Sequence, residues 1–333
     1  MVENVGAGPV DYATYGTTYN PIGVRPQKNG ATPEETYPFQ GRIAEGGPFP
    51  PAAGRYHLFV SHACPYAQRT LIVRALKGLE DVVGASILDP LRDGRGWAFR
   101  PVPGATLDQS GAGFAFLSEA YHASVEGGDY RGRVSVPVLW DTQSGRIVSN
   151  YFPTITLDLG SAFNKFATQN QALDLYPVQL QPDLDNLIED IYSGLNTGVY
   201  AAGFPGPQSQ HDAAAKRVWE TLATLEERLS DGRTYLFGDA LTEADVRLFP
   251  TLVRFDAVYH HHFKLIWRRV QDYPRLWAYT RRLFALPAFG GTTNLDHIVR
   301  HYYGTQLHVN PSGVVPSLPD IDWTVDKPAK RSA

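Results

Sequence analysis

The residue with the clearest chemistry is Cys64, the only cysteine in the chain. It stands in Ser61-His62-Ala63-Cys64-Pro65-Tyr66-Ala67-Gln68-Arg69, between a strand pattern and a helix pattern. Unpaired N–H groups at the start of a helix act as about half a positive charge, which favours thiolate over thiol. His62, Tyr66 and Arg69 add polarity and charge around the sulfur. The other reading is a lone cysteine serving as a small buried hydrophobe. With one cysteine there is no internal disulfide and no resolving partner, so any disulfide at Cys64 must involve a second molecule. A Cys-rich zinc site is excluded by the same count.

Val136-Pro137 opens another strand pattern, where proline requires an edge position, a turn or a cis bond. In a thioredoxin-type sheet a cis-proline at this place would face the thiol, and the Val136 backbone could pair with a peptide-like thiol as an added strand. A trans proline on an edge strand is the alternative. Of the 18 tyrosines, Tyr200, Tyr302 and Tyr303 could bind or protonate an oxygen of an aromatic substrate. They could equally be core residues with a polar tip. His260-His261-His262 looks like a metal tract, but three adjacent residues cannot face one ion from a helix, and no further ligand stands at tetrahedral spacing. It reads as a solvated helix end, and no metal is expected. Gly94-Arg95-Gly96 lacks the strand–GxxxxGK[ST]–helix setting of a phosphate loop.

These residues need elements to hold them. Residues 1–50 are rich in Gly, Pro, Asn and Thr and read as an irregular arm. Strands are expected at 56–60, 82–88, 134–140 and 146–149, with helices after Pro65, over 116–125 and from Pro153. The glycine-rich stretch 89–114 is a long loop of the kind that carries function. The order βαβ, α, β-hairpin, α is that of a thioredoxin-like α/β domain, placed at 51–168. Over 169–310 apolar residues recur at helical spacing, notably at 180–192, 212–229, 242–259 and 275–286, so this domain should be all-helical. Thr242-Glu243-Ala244-Asp245 has the spacing of a capping box, which makes Thr242 and Asp245 folding residues. Residues 311–333 read as a tail, disordered from Lys327.

The chain has 333 residues, 43% hydrophobic and 19% charged, with a formal charge of -4. This is the composition of a soluble globular protein of about two domains. The charge offers no electrostatic reason to bind nucleic acid or an anionic membrane. No apolar run approaches a membrane span and residues 1–19 lack a leader pattern, so a cytoplasmic location is expected.

The chain resembles the glutathionyl-hydroquinone reductases, the Xi-class glutathione transferases, from about Pro38 to Pro316. The likeness is carried by RYHLFVSHACPYAQRTLIVRALKGLED from Arg55, RVSVPVLWD from Arg133, LTEADVRLFPTLVRFDAVYHHHFK from Leu241, DYPRLWAY from Asp272 and NLDHIVRHYYGTQLHVNPSGVVP from Asn294. The resemblance implies a thioredoxin-like domain joined to an all-helical one, usually as a homodimer. It implies that Cys64 attacks the sulfur of a thiol-conjugated hydroquinone and that a second small thiol resolves the mixed disulfide. Trp97, Arg133 and the Val136-Pro137 backbone match glutathione contacts of the family. Tyr200 and Tyr303, with Tyr302, match positions at the quinol oxygen, and Tyr66 stands where the family has Trp beside the thiol.

Two departures stand out. Gln68 replaces a family His, and Val148-Ser149-Asn150-Tyr151-Phe152 carries Tyr151 and Phe152 where the family has the Glu-Ser pair that holds the γ-glutamyl group. Tyr151 and Phe152 would then offer an aromatic surface, and the cosubstrate is glutathione or another low-molecular-weight thiol such as mycothiol. A conjugating transferase and a non-catalytic binding protein on the same fold are the other readings.

Overall fold

The computed structural model describes residues 5–17 and 36–325. They fall into two compact units, one running to Gln181 and resuming over Asn294–Pro316, the other spanning Pro182–Thr293 and continuing from Ser317. The expected domain limits at 168 and 310 differ from these. Residues 169–181 and 294–310 group with the thiol-bearing unit, because their partners are its loops and helices.

In the first unit, β1 (Tyr56–Val60) leads into α1 (Pro65–Leu76) and β2 (Val83–Ile87). Then follow α2 (Leu117–Ala123), the hairpin of β3 (Val138–Asp141) and β4 (Arg146–Ser149), and α3 (Phe152–Ser161). The sheet order is β2-β1-β3-β4. β1 runs parallel to β2, with Val60 opposite Ile87, and antiparallel to β3, with Phe59 opposite Val138. All five residues of β1 are buried, as its unbroken aromatic and β-branched run requires of a central strand. Arg55 clamps the far end of the sheet through a bidentate pair with buried Asp141, at 2.8 and 2.7 Å. Gly145, at φ 64, closes the hairpin turn, where its N–H donates to Asp141 O at 2.9 Å.

β3 is shorter than the expected 134–140. Proline has no N–H to give to a ladder, and pairing begins only after Pro137. The arm is also less irregular than expected. Gln40 bridges to Ser149, Gly41 N donates to Val148 O at 2.8 Å, Ile43 is buried, and Arg42 pairs with Asp158. Residues 12–15 form a helical turn capped by Asp11. The disordered ending expected from Lys327 lies outside the described residues.

The second unit is helical, with α4 (Gln181–Ile191), α5 (Gly198–Gly203), α6 (Gln208–Arg228), α7 (Glu243–Arg254) and α8 (Pro274–Phe284). The helix expected over 180–192 forms as α4 and is followed by a π turn at Tyr192–Asn196, whereas the one expected over 242–259 is regular only to Arg254 and passes into a π turn at Phe255–Tyr259. The capping box is formed as expected, with Asp245 accepting from Thr242 N at 2.8 Å. His262, taken as part of a solvated helix end, is only 5% exposed and packs on Phe263, whereas His261 is exposed. The chain then returns to the first unit as α9 (Leu295–Thr305). No helix among the described residues is long and apolar enough to cross a membrane.

Candidate functional site

Cys64 is the N-cap of α1, with Pro65 as the first helical residue. Its backbone is extended, and its carbonyl accepts the first helical bond from Gln68 N at 3.1 Å. Proline suits that position because the first N–H of a helix has no partner to lose. The thiol is half-buried, and its Sγ donates to Val136 O at 3.7 Å. The Val136-Pro137 bond is cis. Cys64, Val136 and Pro137 are therefore brought together, as the strand and helix patterns led one to expect.

The segment before Pro137 is held by a residue that sequence reasoning did not single out. Tyr121 of α2 is fully buried, donates to Ser135 O at 2.8 Å, and accepts from Ser135 N at 3.1 Å and Asn150 Nδ2 at 3.2 Å. Burial pushes its phenol above the ordinary tyrosine range, so it remains a neutral donor and acceptor. One hydroxyl thus ties α2 to the two segments that flank the thiol. Nothing in the local sequence signals it, since only the tertiary fold joins positions 121, 135 and 150.

Tyr66 and Phe152 are in ring contact at 4.6 Å, and the guanidinium of Arg69 lies 4.7 Å from the Tyr66 centroid and 5.4 Å from that of Phe152. Arg69 is 1% exposed and Phe152 5%. A cation against ring faces gains from the aromatic quadrupole, more so when water is excluded. Phe152 packs between Tyr66, Arg69 and Tyr37, while Tyr151 beside it is half-buried. Tyr37, 5.7 Å from Tyr151 and 5.8 Å from Phe152, completes the cluster from the segment read as an arm.

The other expected contacts fall elsewhere in the first unit. Trp97 is 6% exposed, stacked on His301 at 5.1 Å with the Arg92 guanidinium 4.7 Å from its ring. His301 Nδ1 donates to Pro90 O at 2.7 Å, which ties the stack to the start of the long loop. Tyr302 and Tyr303 of α9 are both buried, and burial raises the Tyr303 phenol. Arg133 is exposed, and its carbonyl accepts from Tyr130 at 3.0 Å. The loop also approaches α9 closely at Gly104, where φ is 79 and a Cβ would stand 2.7 Å from His297 Nε2.

Tyr200 belongs to the second unit. It is half-buried on α5, with rings of Phe204, Tyr259 and Phe263 within 5.9 Å. Its hydroxyl is 3.5 Å from that of Tyr259.

A thiol at a helix start, facing a residue before a cis-proline in a β2-β1-β3-β4 sheet, with a helical second unit, has known counterparts. The glutathione S-transferase C-terminal domain pattern matches residues 208–282. The glutathionyl-hydroquinone reductase PcpF of Sphingobium chlorophenolicum is 43% identical over 266 residues, covering 80% of this chain and 83% of that protein. The glutathionyl-hydroquinone reductase YqjG of Escherichia coli is 43% identical over 297 residues, covering 86% and 88%. The chain belongs to this family of glutathione transferases. The glutathione-bound structure of YqjG matches at a TM-score of 0.81 and 41% identity, over 86% of this chain and 94% of that one. The Xi glutathione transferase of Phanerochaete chrysosporium gives 0.81 and 42%, over 85% and 95%. The family and fold read from the sequence are borne out, and the protein is an enzyme of the glutathione transferase superfamily rather than a binding protein on a borrowed fold.

Proposed function

We propose that the protein removes glutathione from S-glutathionyl hydroquinones through a mixed disulfide at Cys64. The Cys64 thiolate attacks the conjugate's sulfur, and the bond from that sulfur to the ring carbon breaks. The electron pair remains with the ring carbon, which takes up a proton, so the free hydroquinone leaves and Cys64 holds glutathione in disulfide linkage. A second glutathione thiolate then attacks the glutathionyl sulfur, releasing glutathione disulfide and restoring Cys64. The ring carbon is made a tolerable leaving group by phenol donors at the quinol oxygens. Tyr200 and Tyr303 take that role, with Tyr302 and Tyr66 lining the substrate. Trp97, Arg133 and the Val136-Pro137 backbone are assigned to the glutathione moiety, with Tyr151 at its margin.

The observation that carries this reading is the placement of Sγ 3.7 Å from Val136 O at the N-cap of α1. A thiol at a helix N-terminus is favoured as thiolate by the helix dipole. The same backbone carbonyl is available to an N–H of the bound tripeptide once the thiol has given up its proton. Glutathione is preferred to mycothiol because the relatives are glutathionyl-hydroquinone reductases, one of them glutathione-bound. Conjugation is the weaker reading, since a thiol in this place competes for the sulfur that a conjugating enzyme must protect. A homodimer in the cytoplasm, with no metal, completes the proposal.

Intact mass after a single turnover with S-glutathionyl menadiol tests it. The expected result is one glutathione on Cys64 with one equivalent of quinol released, and neither in Cys64→Ser. An unmodified wild-type protein with no quinol released would falsify the proposal. Sedimentation measures the dimer separately.

A further inference from the structure

Two histidines of α9 stand four residues apart, on one face of the helix, and both reach carbonyls of the long loop. His297 Nε2 donates to Pro103 O and His301 Nδ1 to Pro90 O, each at 2.7 Å. A carbonyl oxygen can only accept, so the direction of both bonds is fixed. His301 makes a second contact with the same loop. While its edge holds Pro90, its ring face lies on Trp97, with centroids 5.1 Å apart and planes at 14°. The two stretches it touches are joined beside it, where Asp89 N donates to Ala98 O at 3.0 Å. All of these residues belong to the first unit.

The backbone at Trp97 is held without help from α9. Trp97 O accepts from Leu117 N at 2.9 Å, and Phe99 N donates to Ala115 O at 2.9 Å. What those bonds leave open is the rotation of the indole itself. The ring is 6% exposed, so a ligand can meet only its margin, and any turn of the ring changes what is presented. The Arg92 guanidinium, 4.7 Å from the Trp97 centroid, and the His301 ring are the groups that bear on it. An imidazole supplies a stacking face and an edge donor at once. Phenylalanine has the face alone, and asparagine the donor alone.

We infer that His301 is a positioning residue for the glutathione moiety, its ring face setting the orientation of Trp97 while its Nδ1–H anchors it to Pro90. This rests on the assignment of Trp97 to glutathione. No proton or electron passes through His301; its effect reaches the ligand by way of the indole.

The test is a double-mutant cycle of His301→Asn and Trp97→Ala, read as the Kd of reduced glutathione by calorimetry. H301N keeps a donor for Pro90 O and removes the stacking face. An aromatic pair corresponds to about threefold to tenfold in affinity, and H301N is expected to weaken binding by about that factor. In the W97A background the same change should have no further effect. In turnover of S-glutathionyl menadiol the loss should fall on KM, with kcat within about twofold. His301→Phe, which keeps the face, should recover most of the loss. His301→Gln, which also offers a donor without the face, serves if H301N does not fold. A Kd unchanged in H301N, a loss of equal size with Trp97 absent, or H301F no better than H301N overturns the inference. W97A that binds glutathione as wild type does overturns the assignment of Trp97, a different result from a weakened W97A with indifferent His301 variants. Wild-type protein that takes up no glutathione overturns the proposed function itself.

Discussion

Tyr151 and Phe152 occupy adjacent positions beside the thiol but have different fates. Phe152 is 5% exposed, wedged between Tyr66 and the Arg69 guanidinium, while Tyr151 is half-buried. The Tyr151 N–H is satisfied by Ser149 Oγ at 3.1 Å, so its side chain can change without losing that bond. Tyr151→Glu should therefore restore a charge-assisted contact to the γ-glutamyl ammonium, a bond of about 1.5–3 kcal/mol. Allowing for solvent, calorimetry should register about tenfold tighter glutathione binding; an unchanged Kd sinks this view of position 151. Phe152→Ser would instead open a cavity beside a buried cation and lower thermal stability. The place of Cys64 at a strand-to-helix junction was legible because both patterns beside it are local. The burial of Phe152 was not, since Tyr37 and Arg69 reach it from distant parts of the chain.

Elements set by local patterns were readable, and those set by distant partners were not. The capping box at Thr242 lies within four residues and forms as its spacing dictates. The π turns after α4 and α7 were invisible, because the apolar spacing runs through them without a break. The order of strands was legible, whereas the length of β3 was misjudged until the missing N–H of Pro137 was set against the ladder. That β3 entry depends on Tyr121, whose hydroxyl serves Ser135 and Asn150 together. Tyr121→Phe keeps the ring and leaves buried polar groups short of a partner, at a cost of about 1–3 kcal/mol. Denaturant unfolding should show that loss. Glutathione KM should rise as the Val136 carbonyl loses its fixed position, and a variant with lower stability but unaltered KM would confine Tyr121 to a folding role.

At the scale of the whole molecule, the two-part organisation was legible and its limits were not. α9 carries helical spacing of its own, but its assignment to the first unit depends on His297 and His301 bonding to Pro103 and Pro90, about two hundred residues away in sequence. The long loop that supplies these carbonyls is also tied to the chain's beginning, and Asp93 is the centre of that tie. Its carboxylate accepts from Arg95 Nη2 at 2.6 Å, Arg95 N at 3.0 Å and Asp11 N at 3.0 Å, while Arg95 reaches Pro9 O. Burial alone would raise the Asp93 carboxyl; the donors from Arg95 and Asp11 more than reverse it and bring it from 3.8 down to about 2. A carboxyl lowered in the folded state adds stability that is fully present well above 3.8 and is lost as pH falls through 3.8 towards 2. The Asp93 contribution to the unfolding free energy should thus be nearly level from neutral pH to about 5 and be lost below that. Asp93→Asn should be less stable than wild type at pH 6 by denaturant unfolding and should lose less between pH 6 and pH 3. Parallel acid limbs for the two proteins would mean that the loop is held by its packing on α9, with the carboxylate a passenger.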